Sequence, residues 1–310
     1  MMVKFHHILP MKSALSTLFF LWSLWWGGAY SQQYVNLSVD NDLYFGRDRY
    51  YSSGVFISTG KLKSLTDQEG ISYKRYVHWT LGQEIYTPSN RYTFDIDKLD
   101  YPYGGWLFLE RAFEHYNNPF SAWGVTLKIG MTGKASLAPY FQNFYHDKIL
   151  GLPDVAWLKP LPQRFHFNIN LMQRKRFQLL KRLALIYELF GNLGSQRIAA
   201  GVRVGSLFGT SDALAFLGNP LEMQTKGYGI YFGTRLEYRY HDYMVSGGLF
   251  DDKAPFVLTN IPYKNSLEAG FAFYGKRWRL LTLLNSISKD NERQLAQRHY
   301  YLNISIARFF

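Results

Sequence analysis

The chain has 310 residues, a formal net charge of +12 and no cysteine, and it is 18% aromatic, with 24 Tyr, 24 Phe and 8 Trp. The lack of cysteine excludes disulfide staples, thiolate metal sites and a cysteine nucleophile. A basic chain this rich in tyrosine and tryptophan points to an anionic membrane surface rather than nucleic acid as its partner, because such rings form the interfacial girdles of outer-membrane barrels.

In chain order, Lys4 and Lys12 precede an uncharged run, residues 14–26, and then Ala29-Tyr30-Ser31. Basic, apolar, then small-x-small is the order of a secretory signal peptide. Residues 1–31 therefore read as a signal cleaved before Gln32, and 32–310 as a single barrel domain carrying active-site loops. The apolar run is shorter than the ~20 residues a spanning helix needs.

Alternating segments predict twelve strands, near 33–41, 52–63, 75–87, 104–114, 121–132, 164–175, 178–192, 195–208, 227–240, 264–275, 277–288 and 299–310. The stretch from Asp242 to Phe250 reads as an extension of the strand before it. Long loops are expected around 88–103, 133–163, 209–226 and 251–263, with short turns between the other strands. In the last segment Tyr300, Leu302, Ile304, Ile306 and Phe310 alternate with the smaller or more polar Asn303, Ser305 and Ala307. That period of two suits a strand with lipid on one side and a polar interior on the other. The predicted fold is all-β: a twelve-stranded antiparallel transmembrane β-barrel of the bacterial outer membrane. A soluble sandwich or lipocalin-like barrel is disfavoured by long, tyrosine-rich strands with little aliphatic core.

A few polar residues sit where strands meet long loops. Asn41-Asp42 ends the first strand, and Ser52-Ser53-Gly54 opens the second. Gln142 and His146 are four apart, on one face of any helix there, among Tyr140, Phe141, Phe144 and Tyr145. Taken singly, each has a bland reading: Asn-Asp as turn chemistry, serine beside glycine as loop, a lone histidine as a packing residue. His166 reads as a barrel-interior residue, and Asp95, Asp97 and Asp100 as a solvated acidic loop. There is no Gly-x-Ser-x-Gly elbow, phosphate loop or His-Glu-x-x-His helix.

Four blocks nevertheless resemble one family: Val39 to Ser58 (VDNDLYFGRDRYYSSGVFIS), Gly82 to Asn90 with Tyr101 to Leu109, Gln142 to Trp157 (QNFYHDKILGLPDVAW), and the Phe-Phe terminus. Together they resemble the outer-membrane lipid A 3′-O-deacylases. The resemblance implies a twelve-stranded barrel and calcium-dependent hydrolysis of the 3′-linked acyloxyacyl ester of lipid A in the outer leaflet. It assigns the site to Asn41, Asp42, Ser52, Gln142 and His146, with Asp42 among the Ca²⁺ ligands. The acidic residue expected soon after the histidine has no match in register; Asp147 and Asp154 are nearby. His146 would serve as general base on a water, with Ser52 or Ser53 as nucleophile the lesser alternative. Arg91 and Lys148 are the residues for the lipid A phosphates. The five site residues should converge at the loop end. The competing readings are a passive or transport barrel without catalysis, and an esterase acting on another outer-leaflet lipid.

Overall fold

A computed structural model describes residues 32–68, 71–118, 120–210, 220–222, 226–250 and 253–310; the expected signal segment, 1–31, lies outside the described residues. Among the described residues twelve strands, each antiparallel to its neighbours, close into one barrel. They are β1 (Gln33–Asn41), β2 (Tyr50–Gln68), β3 (Ile71–Thr87), β4 (Gly104–Asn118), β5 (Ser121–Thr132), β6 (Phe165–Leu180), β7 (Leu183–Gly194), β8 (Arg197–Gly209), β9 (Gly227–Asp242), β10 (Tyr263–Tyr274), β11 (Trp278–Ser288) and β12 (Arg298–Phe309). Closure is made by β1 on β12, in register from Tyr34↔Phe309 to Asn41↔Leu302. No strand edge is left unpaired, which is the condition for crossing a bilayer with strands.

The pleat sorts side chains as the pattern of two requires. On β12 Ile306 is 45% exposed, whereas its neighbours Ser305 and Ala307 are 4% and 0%. Leu37, Ile57, Leu81, Leu109 and Leu127 stand outward in the same way, forming an apolar wall that faces lipid. No helix among the described residues is long and apolar enough to cross a membrane.

Inside, the lumen is filled by paired charge. Arg203 contacts Glu188 and Glu268, each at 3.1 Å, and Arg174 also reaches Glu188. Arg239 joins Glu237, Asp242 and Asp290 at 2.6, 2.8 and 3.0 Å, and Lys264 reaches Asp290 at 2.7 Å. Buried charges persist only when paired and hydrogen-bonded, so these residues hold one another. A gap of 260 Å³ lies between them, lined by Arg203, Glu268, Arg239 and Asp290 among others.

Some details differ from the sequence reading. The break expected between 175 and 178 falls at 181–182 instead, so β6 runs on to Leu180. Residues 209–226 join β8 to β9 at the end of the barrel that carries the short turns, since β8 starts from the Ser195–Gln196 turn at the opposite end. Residues 211–219 and 223–225 of that connection lie outside the described residues. The Asp242–Phe250 stretch does not continue β9. Asp242 accepts a hydrogen bond from Met244 N at 3.1 Å and starts a single helical turn, Tyr243–Ser246. The remaining long loops, 42–49, 88–103, 133–164, 243–262 and 289–297, gather at one mouth.

Candidate active site

The site is built where three of these loops meet above β1, β2, β3 and β5. The first loop turns at once. Asn41 Oδ1 accepts from Leu43 N at 2.6 Å, an Asx turn. Gly46, at φ +64°, completes the reversal in the left-handed region that glycine enters without a steric penalty. The chain then re-enters the sheet through Tyr50, a non-glycine residue at φ +60°. Such a conformation costs about 1–3 kcal/mol and persists only where the surroundings impose it. Here they do: the fully buried Tyr50 donates its hydroxyl to Asp100 Oδ2 at 2.7 Å and receives Ala296 N at 3.3 Å. Asp100 also accepts from Ser89 N, so one buried carboxylate ties the 88–103 loop to 42–49 and 289–297. Asp100 is thus not part of a solvated cluster, although Asp95 and Asp97 are exposed.

The third loop supplies a helix, α1 (Ala138–Tyr145), with Pro139 in its first turn. Pro139 suits that turn because its missing N–H would have no helical partner there. Gly105 on β4 lets α1 come close, since a Cβ there would stand 2.2 Å from the Ala138 Cβ. After Tyr145 the helix widens into a π-type turn, His146–Leu150, closed by Gly151 at φ +64°. Turns of this kind recur at functional sites. Gln142 and His146 point inward and are buried, while Tyr140, Phe141, Phe144 and Ile149 form an exposed apolar face.

The residues converge on a carboxylate that the sequence reading did not single out, Asp48. Its Oδ2 lies 2.8 Å from His146 Nε2 and 3.1 Å from Arg91 Nε. Its Oδ1 accepts from Ser52 Oγ and, at 3.4 Å, from Gln142 Nε2. Burial raises the Asp48 pKa, but the contacts with His146, Ser52 and Arg91 outweigh it and hold the carboxyl below its usual value. An ionised Asp48 therefore sits beneath the imidazole. On the other side of the ring, Nδ1 faces the Pro153 carbonyl at 3.3 Å. A proton taken up by His146 meets a carboxylate at one nitrogen and a carbonyl at the other.

Of the predicted site residues, Ser52, Gln142 and His146 meet at Asp48. Asp42 lies beside them, its N–H donating to Ser52 O at 3.2 Å. Asn41 stays in its turn. Arg91 belongs to the cluster but is bound to Asp48, its guanidinium also stacked on Tyr92 at 4.9 Å, so it is not a free phosphate anchor. Lys148 stands outside, paired with Asp147 at 2.6 Å on the exposed side of its turn. Asp48 occupies the space between Ser52 and His146, which removes Ser52 from the histidine's reach as a base-activated nucleophile.

Asp42 bears on the metal. It is completely buried; Oδ2 accepts from Arg49 N at 2.9 Å, and Oδ1 has no partner. Burial pushes its pKa up to about 8, with the nearby Asp48 charge adding to the effect. Gln142 Oε1 is likewise buried without a donor. Unpartnered carboxylate and amide oxygens are the donors a hard cation takes. Each of these oxygens suits a hard cation as a ligand, and no group of three His, Cys, Asp or Glu residues that could hold a metal stands together among the described residues.

Comparison with known proteins agrees with the fold. Residues 14–310 match the family model described as "Outer membrane protein LpxR". No curated protein sequence matches. Among solved structures, LpxR from Salmonella typhimurium superposes with a TM-score of 0.74 at 16% identity, over 89% of this chain and 100% of that one. The β domain of the Bordetella autotransporter BrkA reaches 0.48 at 13% identity, over 90% and 98%. The chain belongs to the LpxR family of outer membrane proteins.

Proposed function

We propose that this LpxR-family barrel is a lipid A deacylase, a carboxylic ester hydrolase that removes the 3′-linked acyloxyacyl chain of lipid A by a water activated at His146. The observation that carries the reading is the buried Asp48–His146 pair, held at the mouth of a charge-filled barrel beside the exposed aromatic face of α1. The mouth with long loops is the outer-leaflet end of such barrels. An acyl chain entering from the leaflet meets Tyr140, Phe144 and Ile149 before it meets His146. The filled lumen argues against the passive-pore alternative.

The proposed steps begin at His146. Asp48 keeps the His146 Nε2 edge protonated, leaving Nδ1 as the base once a water takes the place of the Pro153 carbonyl that faces it at 3.3 Å. A water at Nδ1 gives up a proton to it as its oxygen adds to the ester carbonyl carbon. The tetrahedral adduct collapses by breaking the bond to the 3′ oxygen, and the leaving alkoxide takes the proton back from Nδ1. The products are the free acyloxyacyl acid and a 3′-hydroxyl. Arg91 holds the Asp48 charge in place, and Ser52 and Gln142 fix the carboxylate's other oxygen. Asp42 is the residue to hold a calcium ion, which when bound supplies a positive charge for the ester carbonyl and the oxyanion.

The test is mass spectrometry of lipid A from cells with the wild-type protein, with His146→Ala, and without either. Loss of the 3′ acyloxyacyl group with wild type alone, with both proteins heat-modifiable barrels, supports the reading. Loss of an ester from a different lipid supports the other-lipid esterase. Deacylation that survives His146→Ala overturns the mechanism, and no change in any lipid with calcium present overturns catalysis.

A further inference from the structure

The outer wall of β2–β5 carries a feature that the catalytic mouth leaves unused. Three outward rows run across these strands. Arg75, His115 and Trp123 pair in register near the turn end; Val77, Phe113 and Val125 follow; then Trp79, Arg111 and Leu127. Lys63 is the extra residue of a bulge between Leu62 and Ser64, where β2 meets β3 beside Arg75. A bulge re-aims its side chain and is common at barrel rims. Lys63, Arg75 and Arg111 line one groove of about 500 Å³ floored by Val77 and Phe113.

A cation on the lipid face of a barrel costs several kcal/mol at mid-bilayer and little near an interface. This cluster is drawn toward the interface. The Arg111 guanidinium rests over Trp79 and Phe113, 4.9 and 4.8 Å from the ring centres, and Phe113 lies on its turn-end side. Arg75 Nε donates to His115 Nδ1 at 3.4 Å. Among the described residues none of the three cations has a carboxylate partner. Glu114, in the groove wall, turns into the barrel toward Arg174. The contrast with the lumen is sharp, because there each arginine discussed above touches an acid.

We propose that this groove binds the phosphate headgroup of an anionic glycerophospholipid of the inner leaflet. Short turns mark the periplasmic end of an outer-membrane barrel, so the cluster lies at the inner-leaflet interface, away from the mouth. Three cations lining one groove match the negative charge of a phosphodiester, and the apolar Val77 and Phe113 with the Trp79 and Trp123 rings match the headgroup–acyl boundary. A zwitterionic headgroup lacks the net charge to satisfy the cluster.

The experiment uses the full chain purified in neutral detergent and native mass spectrometry with phosphatidylglycerol or phosphatidylcholine of identical acyl chains. Wild type should retain phosphatidylglycerol at least about tenfold better, and Arg75→Gln with Arg111→Gln should reduce it to the phosphatidylcholine level. Lys63→Gln, at an exposed bulge, gives an intermediate loss and serves if the double variant does not fold. Equal retention of both lipids by wild type, undiminished phosphatidylglycerol in folded variants, or its displacement by equimolar lipopolysaccharide would each overturn the proposal.

Discussion

Replacing Asp48 with asparagine separates charge from shape at the centre of the site. The carboxylate lies 2.8 Å from His146 Nε2 and 3.1 Å from Arg91 Nε. In the step that protonates Nδ1 the imidazole gains a full charge, and Asp48 is the only anion in contact with its ring among the described residues. At about 4 Å between charge centres and an effective dielectric near 20, the attraction is about 4 kcal/mol. Part of it is present in the ground state through the ring's N–H dipole, so the loss in the transition state is about 3–4 kcal/mol. At 1.36 kcal/mol per tenfold, kcat should fall about 10²- to 10³-fold. Asp48→Asn also leaves the Arg91 charge uncompensated beside the ring, which works in the same direction. KM should change little, because Asp48 lies beneath the ring and is buried. The assay is initial-rate release of acyloxyacyl acid from lipid A in mixed micelles, with heat-modifiable gel migration to check the barrel. A folded Asp48→Asn protein with kcat within about threefold of wild type would refute the assignment of Asp48 as the group that positions and charges His146.

Ser52→Ala removes one hydrogen bond to Asp48 and should slow turnover about tenfold; complete loss together with an acyl adduct on Ser52 in the wild type would replace the water route with a covalent one. Asp42→Asn should weaken Ca²⁺ binding, read by calorimetry on the purified barrel, by at least about tenfold, because a neutral amide replaces the carboxylate ligand; an unshifted affinity would remove Asp42 from any cation site. Tyr50→Phe deletes the hydroxyl that joins Asp100 to Ala296. It should leave the barrel intact while speeding proteolysis of the 289–297 loop and lowering kcat several-fold, and unchanged protease sensitivity would show that the strained turn is held by other contacts.

The barrel was legible because its signal is local. A strand such as β12 states its two faces residue by residue, and ten-residue periods survive without knowledge of partners. The 209–226 connection went to the wrong end because its length was read without following strand direction through the tight Ser195–Gln196 turn. His146 and Gln142 were legible as a spacing of four beside aromatic residues. Asp48 was not, since between Arg47 and Arg49 it reads as one more loop charge. Its partners Arg91 and Gln142 lie 43 and 94 positions away, and only barrel closure brings them to it. Asp100 was missed for the same reason: an acid among Tyr, Pro and Gly looks solvated until Tyr50, 50 positions earlier, is placed against it.

The two charge systems of the molecule differ in a way that follows from what each must do. In the lumen, Glu188, Glu237, Glu268 and Asp290 each touch at least one guanidinium or ammonium, and that symmetry makes the interior inert. At the mouth the balance is broken twice. Asp48 has cationic partners, but one is an imidazole whose charge is conditional, so protonating His146 is what completes the ion cluster. Asp42 has a main-chain N–H and no cation, and its carboxyl is driven toward the neutral form. A purely structural rim gains nothing from Asp42, because a buried carboxylate oxygen with neither hydrogen bond nor counter-charge lowers stability, unlike Asp100, whose oxygens accept from Tyr50, Ser89 and Leu295. The presence of Asp42 six residues before Asp48, on the same loop, makes sense if the missing positive charge arrives from outside. On the proposed function the rim then has one site for a proton and one for a cation, both buried behind the exposed face of α1.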